Sequence, residues 1–142
     1  MKIVCGDIFD VASRGIIGHQ CNARYVMGAG IAKKIAEMYP NVLEAYLELR
    51  PVLGECQLVE AGEDLWIANL IGQADIGRGL QTDYEALRKA MAILRSEAKD
   101  LNLPVYLPYG IGCGLAGGNW SIVSGMIETE LPEATVVRLF GC

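Results

Sequence analysis

Two segments of this sequence leave a short apolar run through glycines and pass into a helical pattern: VMGAGIAKK at 26–34 and PYGIGCGLAGGNW at 108–120. The second places five glycines in thirteen positions. Glycine costs roughly 0.5–1 kcal/mol relative to alanine in regular structure, so the cluster needs a local cause. Two causes are open: tight strand-to-helix turns at positive φ, or a main chain that a ligand must approach closely. In both cases an extended segment precedes each loop and a helix follows it, which is the grammar of an α/β domain. The first amides of a helix lack intrahelical acceptors and lie at the positive end of its dipole, so a glycine-lined helix start accepts anions. Two of them can clamp a diphosphate without a lysine.

The rest of the chain supplies the elements such loops require. KIVC (2–5), GIIGHQC (15–21), CQLVEA (56–61), DLWIANLI (64–71), PVYLP (104–108) and ATVVRLF (134–140) are short apolar runs bounded by turn residues, hence strands. The pair at 56–71, joined at Gly62, reads as antiparallel. Helical spacing appears from Gly30 to Tyr39, ended by Pro40, and again through Val42, Leu43, Tyr46 and Leu47, with Asn41 and Glu44 as cap and partner. Thr82 and Glu85 form a T-x-x-E capping box ahead of Tyr84, Leu87, Met91, Leu94, Ala98 and Leu101. Asn119 is the expected N-cap of a helix that uses Ile122, Val123, Met126 and Ile127. No linker or repeat interrupts residues 1–142, so the sequence predicts a single three-layer α/β/α domain on a mixed sheet.

Charge narrows the partners. The net charge is −5, without a block of lysine or arginine, which disfavours nucleic-acid backbones and anionic membranes. No apolar run approaches the roughly 18–20 residues of a membrane span, and MKIVCGDIFD meets Asp7 before a signal-peptide core forms. Five dispersed cysteines and one histidine, His19, offer no zinc spacing and predict a reduced, cytoplasmic protein without metal or cofactor. Cys21 and Cys113 lie in or near the loops, yet only His19 is placed to activate a thiol. Trp66 and Trp120 read as core residues, and Tyr109 packs near the second loop or covers its strand end. Residues 112–117 match G-x-G-x-x-G, but this late in the chain they make a weak dinucleotide fingerprint.

GDIF (6–9), GHQCN (18–22), MGAGIA (27–32), TDYEAL (82–87) and YGIGCGLAGGNW (109–120) follow one another along nearly the whole chain. Together they resemble the macrodomain family in its bacterial and phage branch, which is similar in turn to ADP-ribose protein glycohydrolases and ADP-ribose 1″-phosphate phosphatases. The resemblance implies a macrodomain-like fold with a mixed, about six-stranded sheet, and ADP-ribose as ligand. It implies that Asp7 accepts from the adenine amino group while the Ile8 amide donates to the ring. Asn22 is then expected at the distal ribose, and Gly28, Ala29, Gly30 and Ile31 along one side of the phosphates. Gly112, Cys113, Gly114 and Leu115 form the opposite wall, continued round the distal ribose by Ala116, Gly117 and Gly118. His19 matches a histidine of the phosphatase members, so His19 and Asn22 are the candidate catalytic residues.

Three positions depart from the family pattern. The glycohydrolases use a lysine after the fourth strand, where NLIGQ places Gln73, and a loop aspartate, where this chain has Ala116. Asn119 stands where many phage-branch relatives carry aspartate. A carboxamide forms no Schiff base and alanine carries no proton, so the resemblance predicts no lysine mechanism here. The expected activity is hydrolysis at the distal ribose by an activated water, with Asn22, His19, Gln73 and Asp75 as the nearby polar groups. Its expected substrates are ADP-ribose 1″-phosphate, O-acetyl-ADP-ribose or an ADP-ribosylated protein or nucleobase. The alternatives are a non-catalytic ADP-ribose reader and a nucleotide-binding domain of another kind. Nucleic acid enters only as an ADP-ribosylated substrate, and a monomer is expected.

Overall fold

The computed structural model describes residues 1–139. In chain order the elements are β1 (Lys2–Cys5), α1 (Ile8–Val11), β2 (Gly15–Asn22), α2 (Gly30–Met38), α3 (Pro40–Glu48), β3 (Cys56–Gly62), β4 (Leu65–Gln73), α4 (Tyr84–Leu101), β5 (Val105–Pro108), α5 (Trp120–Glu130) and β6 (Thr135–Arg138). The six strands form one mixed sheet in the order β1-β6-β5-β2-β4-β3, antiparallel only between β3 and β4. The helices cover both faces, as the alternation along β2 requires. Ile16 packs with Leu87, Met91 and Leu94 of α4, and Ile17 packs with Ile35 of α2 and Val42 of α3. Burial of each such side chain contributes about 1.5–3 kcal/mol. Trp66 and Trp120 pack, partly buried, against the α4–α5 side of the core as expected.

The topology fixes where a ligand can sit. β2 and β5 are parallel neighbours, pairing Ile16 with Val105 and Ile17 with Tyr106. From β2 the chain leaves to α2 on one face, and from β5 it leaves to α5 on the other. Where connections diverge like this, the carboxyl ends of the strands open into a crevice. Both glycine segments follow these two strand ends, so they face each other across that crevice.

Local caps agree with the sequence in one place and differ in two. Asn119 caps α5, accepting from the Ser121 amide at 2.8 Å. Asn41 does not cap α3: Pro40 occupies the first helical position, where its missing N–H costs nothing, and Asn41 Nδ2 donates to the Glu60 carbonyl at 2.8 Å. The T-x-x-E box is also shifted, because Asp83 caps α4 by accepting from the Ala86 amide at 3.0 Å. Thr82 is buried and bonds elsewhere. The last strand ends at Arg138, and Phe140 of the expected ATVVRLF run lies outside the described residues.

Candidate functional site

A cleft of about 640 Å³ lies at the carboxyl ends of β2, β4 and β5. Gln20, Asn22 and Gln73 form its floor, Val26 and Gly28–Ala32 one wall, and Pro108–Gly112 with Gly114–Ala116 the other. Ile76 and Gly77 close one end. Its size is that of an ordinary small-molecule site, roughly 300–1,000 Å³.

The two walls present main-chain amides. α2 begins at Gly30 (φ +58°), and its N-cap is Ala29, which has no side chain able to satisfy the helix start. Gly28 and Ala29 donate to no main-chain carbonyl among the described residues. In the second loop Cys113 donates to Gly110, Gly117 to Gly114 and Gly118 to Gly112, at 2.8–3.0 Å, which shapes the turn. The amides of Gly112, Gly114, Leu115 and Ala116 again meet no carbonyl among the described residues. No Lys, Arg, His, Asp or Glu is among the residues lining the cleft, so these dipoles dominate its field.

Of the residues expected at the site, Asn22, Gly28, Ala29, Gly30, Ile31, Gly112, Gly114, Leu115 and Ala116 line the cleft together. Asp7, Ile8, His19, Cys113, Gly117 and Gly118 do not. Asp7 caps α1 by accepting from the Phe9 amide at 2.9 Å, and its other oxygen is 3.4 Å from Lys34 Nζ. The Phe9 amide and then Lys34 hold its carboxyl below the usual range. Ile8 is buried in the cluster against which Ile31 packs, so the Ile31 end of the cleft adjoins the Asp7–Ile8 turn. Gly117 packs against the main chain at Gly79–Leu80, and Gly118 against that of its own loop. A Cβ on Gly117 would lie 2.5 Å from the Gly79 carbonyl oxygen, and one on Gly118 2.5 Å from that of Gly112.

His19 is corrected most sharply. It is 0% exposed, on the α2–α3 side of the sheet, and so cannot touch a ligand in the cleft. Asn69 gives its Nδ2 hydrogen to Gln57 Oε1, so its Oδ1 accepts from His19 Nε2 at 2.6 Å. Burial lowers the His19 pKa to about 4, leaving a neutral ring. Cys21 Sγ is 3.5 Å from that ring, but burial pushes its thiol far up, so the pair makes no thiolate nucleophile. Cys113 is also raised by burial, and its thiol donates to the Ile111 carbonyl.

Asn22 reaches the cleft with most of its bonding spent. Its Oδ1 accepts from the Arg24 amide at 2.9 Å and the Val26 amide at 3.3 Å, with the Tyr46 hydroxyl at 2.9 Å. Its Nδ2 donates to the Val26 carbonyl at 2.9 Å, leaving one hydrogen. Asn22 therefore builds the first loop before it does anything else. Gln73, at the position matched to the glycohydrolases' lysine, donates to the Asp75 carbonyl and accepts from Gln20, both at 2.8 Å. Sequence reasoning missed Gln20 and Thr82. A glutamine inside the apolar run GIIGHQC, near the end of a strand, was the available signal for the first.

No protein-family model matches the chain. It is 30% identical over 148 residues to an uncharacterized 17.5 kDa protein of Enterobacteria phage T4, covering 96% of this chain and 94% of that one. It is also 30% identical over 141 residues to the ADP-ribose glycohydrolase OARD1 of Bos taurus and of Homo sapiens, covering 96% of this chain and 86% of each. Its structure superposes on a macrodomain protein of Streptomyces coelicolor with a TM-score of 0.82 and 29% identity, covering 99% of both chains. This chain belongs to the macrodomain family. In this macrodomain Gln20 donates to both Gln73 and Thr82. Among the described residues of the macrodomain no helix is long and apolar enough to cross a membrane, and no group of His, Cys, Asp or Glu could hold a metal ion.

Proposed function

We propose that this macrodomain binds ADP-ribose in the cleft, with the diphosphate between the two glycine loops. The observation that carries the proposal is the double row of open amides, Gly28–Ala29 with the α2 start on one side and Gly112 with Gly114–Ala116 on the other. Adenine then lies at the Ile31 end, within reach of Asp7 and the Ile8 amide, and the distal ribose lies over Asn22 and Gln73. ADP-ribose at one hundred times its Kd should stabilise the fold by about 2.7 kcal/mol, and AMP and NAD by less. Absence of a melting shift at millimolar ADP-ribose would remove the proposal.

Hydrolysis of a group on the distal ribose is the activity supported by the 30% identity to the ADP-ribose glycohydrolases. With Gln73 in place of an amine and no ionisable acid or base other than the Tyr109 phenol in the lining, the water is activated by the ligand's own phosphate and oriented by Asn22 and Gln73. The same lining supports a second reading, a reader that binds without chemistry. Product analysis on ADP-ribose 1″-phosphate, O-acetyl-ADP-ribose and an ADP-ribosylated protein separates the two. Turnover without a borohydride-trapped adduct supports hydrolysis, and binding without turnover supports the reader.

A further inference from the structure

We propose that Gln20 is the positioning residue of this cleft: its carboxamide locks Gln73 and the second glycine loop into the arrangement that the ligand meets. The part of this that concerns ligand affinity rests on the ADP-ribose reading above. Thr82 Oγ1 has one hydrogen, and it goes to the Gly112 carbonyl at 2.6 Å, so whatever faces Thr82 from the other side must donate. Gln73 Nε2 gives a hydrogen to the Asp75 carbonyl, which turns Gln73 Oε1 toward Gln20. Two acceptors therefore converge on one point between the strand ends. Among uncharged side chains only a carboxamide –NH2 supplies both hydrogens, and Gln20 Nε2 does so at 2.8 Å to Gln73 and 3.0 Å to Thr82.

The other end of Gln20 shows that this arrangement has a cost. Its Oε1 is buried with no hydrogen-bond partner, wedged against the main chain of Gly72 and Gly112. A Cβ at Gly72 would come within 2.5 Å of that oxygen, and one at Gly112 within 3.1 Å. An apolar side chain at position 20 would avoid the orphaned acceptor, so the amide is explained by what its nitrogen holds. The consequence reaches the ligand side. With Asn22 Oδ1 taken by its own loop, the Asn22 carboxamide keeps one N–H hydrogen to offer, while Gln73 keeps one N–H hydrogen and one lone pair on the oxygen that Gln20 holds.

Gln20→Met keeps the length without the hydrogen bonds, and Gln20→Glu keeps the shape while reversing the polarity. In ligand-free protein, amide exchange at 110–118 should quicken at least ten-fold in Gln20→Met, with α4 and β2 unchanged. Thr82→Val, which deletes the hydroxyl between Gln20 and Gly112, should reproduce that pattern. ADP-ribose affinity should fall at least ten-fold in Gln20→Met while AMP affinity changes less than three-fold. Gln20→Glu should recover affinity as pH falls from 8 to 5.5, because a protonated carboxyl regains one donor, and Gln20→Met should not. Unchanged exchange at 110–118, or equal losses for AMP and ADP-ribose, overturns the proposal. If the unmodified protein binds no ADP-ribose, the functional reading fails, and exchange alone then decides whether Gln20 holds the loop.

Discussion

The two glycine loops resemble each other in sequence and differ in what their glycines are for. In the first, a Cβ on Gly30 would meet nothing within 4 Å, and one on Gly28 would touch only Val26 at 3.6 Å. Space is left open there for something outside the chain. In the second, Gly110, Gly112 and Gly117 have φ of +79°, +75° and +73°, and Gly117 and Gly118 are pressed against main-chain carbonyl oxygens. Most of that loop's glycines fold the loop, and its open amides are those of Gly112, Gly114, Leu115 and Ala116. Glycine richness alone therefore does not mark the cleft: Gly28, Gly30 and Gly114 line it with room for a Cβ, whereas the crowded Gly117 and Gly118 do not line it. The supports differ too. A buried chain from His19 through Asn69 and Gln57 to the Ala45 carbonyl of α3 lies on the first loop's side of the sheet, and Gln20 with Thr82 lies on the second's.

The strongest attempt to break this contrast is Gly117→Val against Gly28→Ala. Gly117→Val combines a left-handed backbone with a clash against the Gly79 carbonyl, and should cost about 3–4 kcal/mol. Thermal melts should show a Tm drop on the order of 10 °C, with Gly28→Ala near the unmodified protein. Similar melts for both variants would erase the distinction.

Nearly as large is the acid sensitivity of the first loop's support. The His19 pKa falls from 6.5 in the unfolded chain to about 4 in the fold, through burial opposed by the Asn69 bond. As pH drops, the unfolded chain takes up the proton first, so stability is lost from about pH 6.5 down to about 4, by about 3 kcal/mol in all. Denaturant melts at pH 7, 5.5 and 4.5 should show this slope, and His19→Asn should flatten it. An identical slope in the variant would mean that another group supplies it.

Gly30→Glu tests the open space directly. A carboxylate there occupies the anion's place, and ADP-ribose affinity should fall at least a hundred-fold, about 2.7 kcal/mol, by calorimetry. The left-handed φ of +58° adds a stability loss of about 1–2 kcal/mol. The smallest effect sharpens the picture of the second loop. Gly114 has open space and no positive φ, so Gly114→Val should hold its Tm within about 2 °C while weakening ADP-ribose about ten-fold. A large melting change there would return Gly114 to the loop-building glycines.

The sheet, the helices and both loops were legible because each rests on local signals: apolar periodicity, Asn119 as a cap, glycines after a strand. The face assignments were not. His19 and Cys21, two residues apart in β2, share one face of the strand, but nothing local says which face meets the cleft; the helices packed above it decide that. Thr82 imitated an N-cap because Asp83, one residue later, does the capping and frees Thr82 to bond Gly112, thirty residues away. Gln20 matters through Gln73 and Thr82, partners that only the folded sheet brings together. Asp7 was given to adenine by resemblance, whereas its visible bonds are a helix cap and an ion pair.

A cleft that offers dipoles but no basic side chain, within a chain of net charge −5, also shapes how a ligand arrives. Long-range forces act between net charges, and a diphosphate approaching this surface is repelled until it is within a few ångströms of the loops. Contact forces then take over, since amide dipoles act only at close range. Added salt should screen the repulsion and hasten association while leaving dissociation nearly unchanged. Encounter is slowed by the whole molecule, and retention is governed by two short stretches of its backbone.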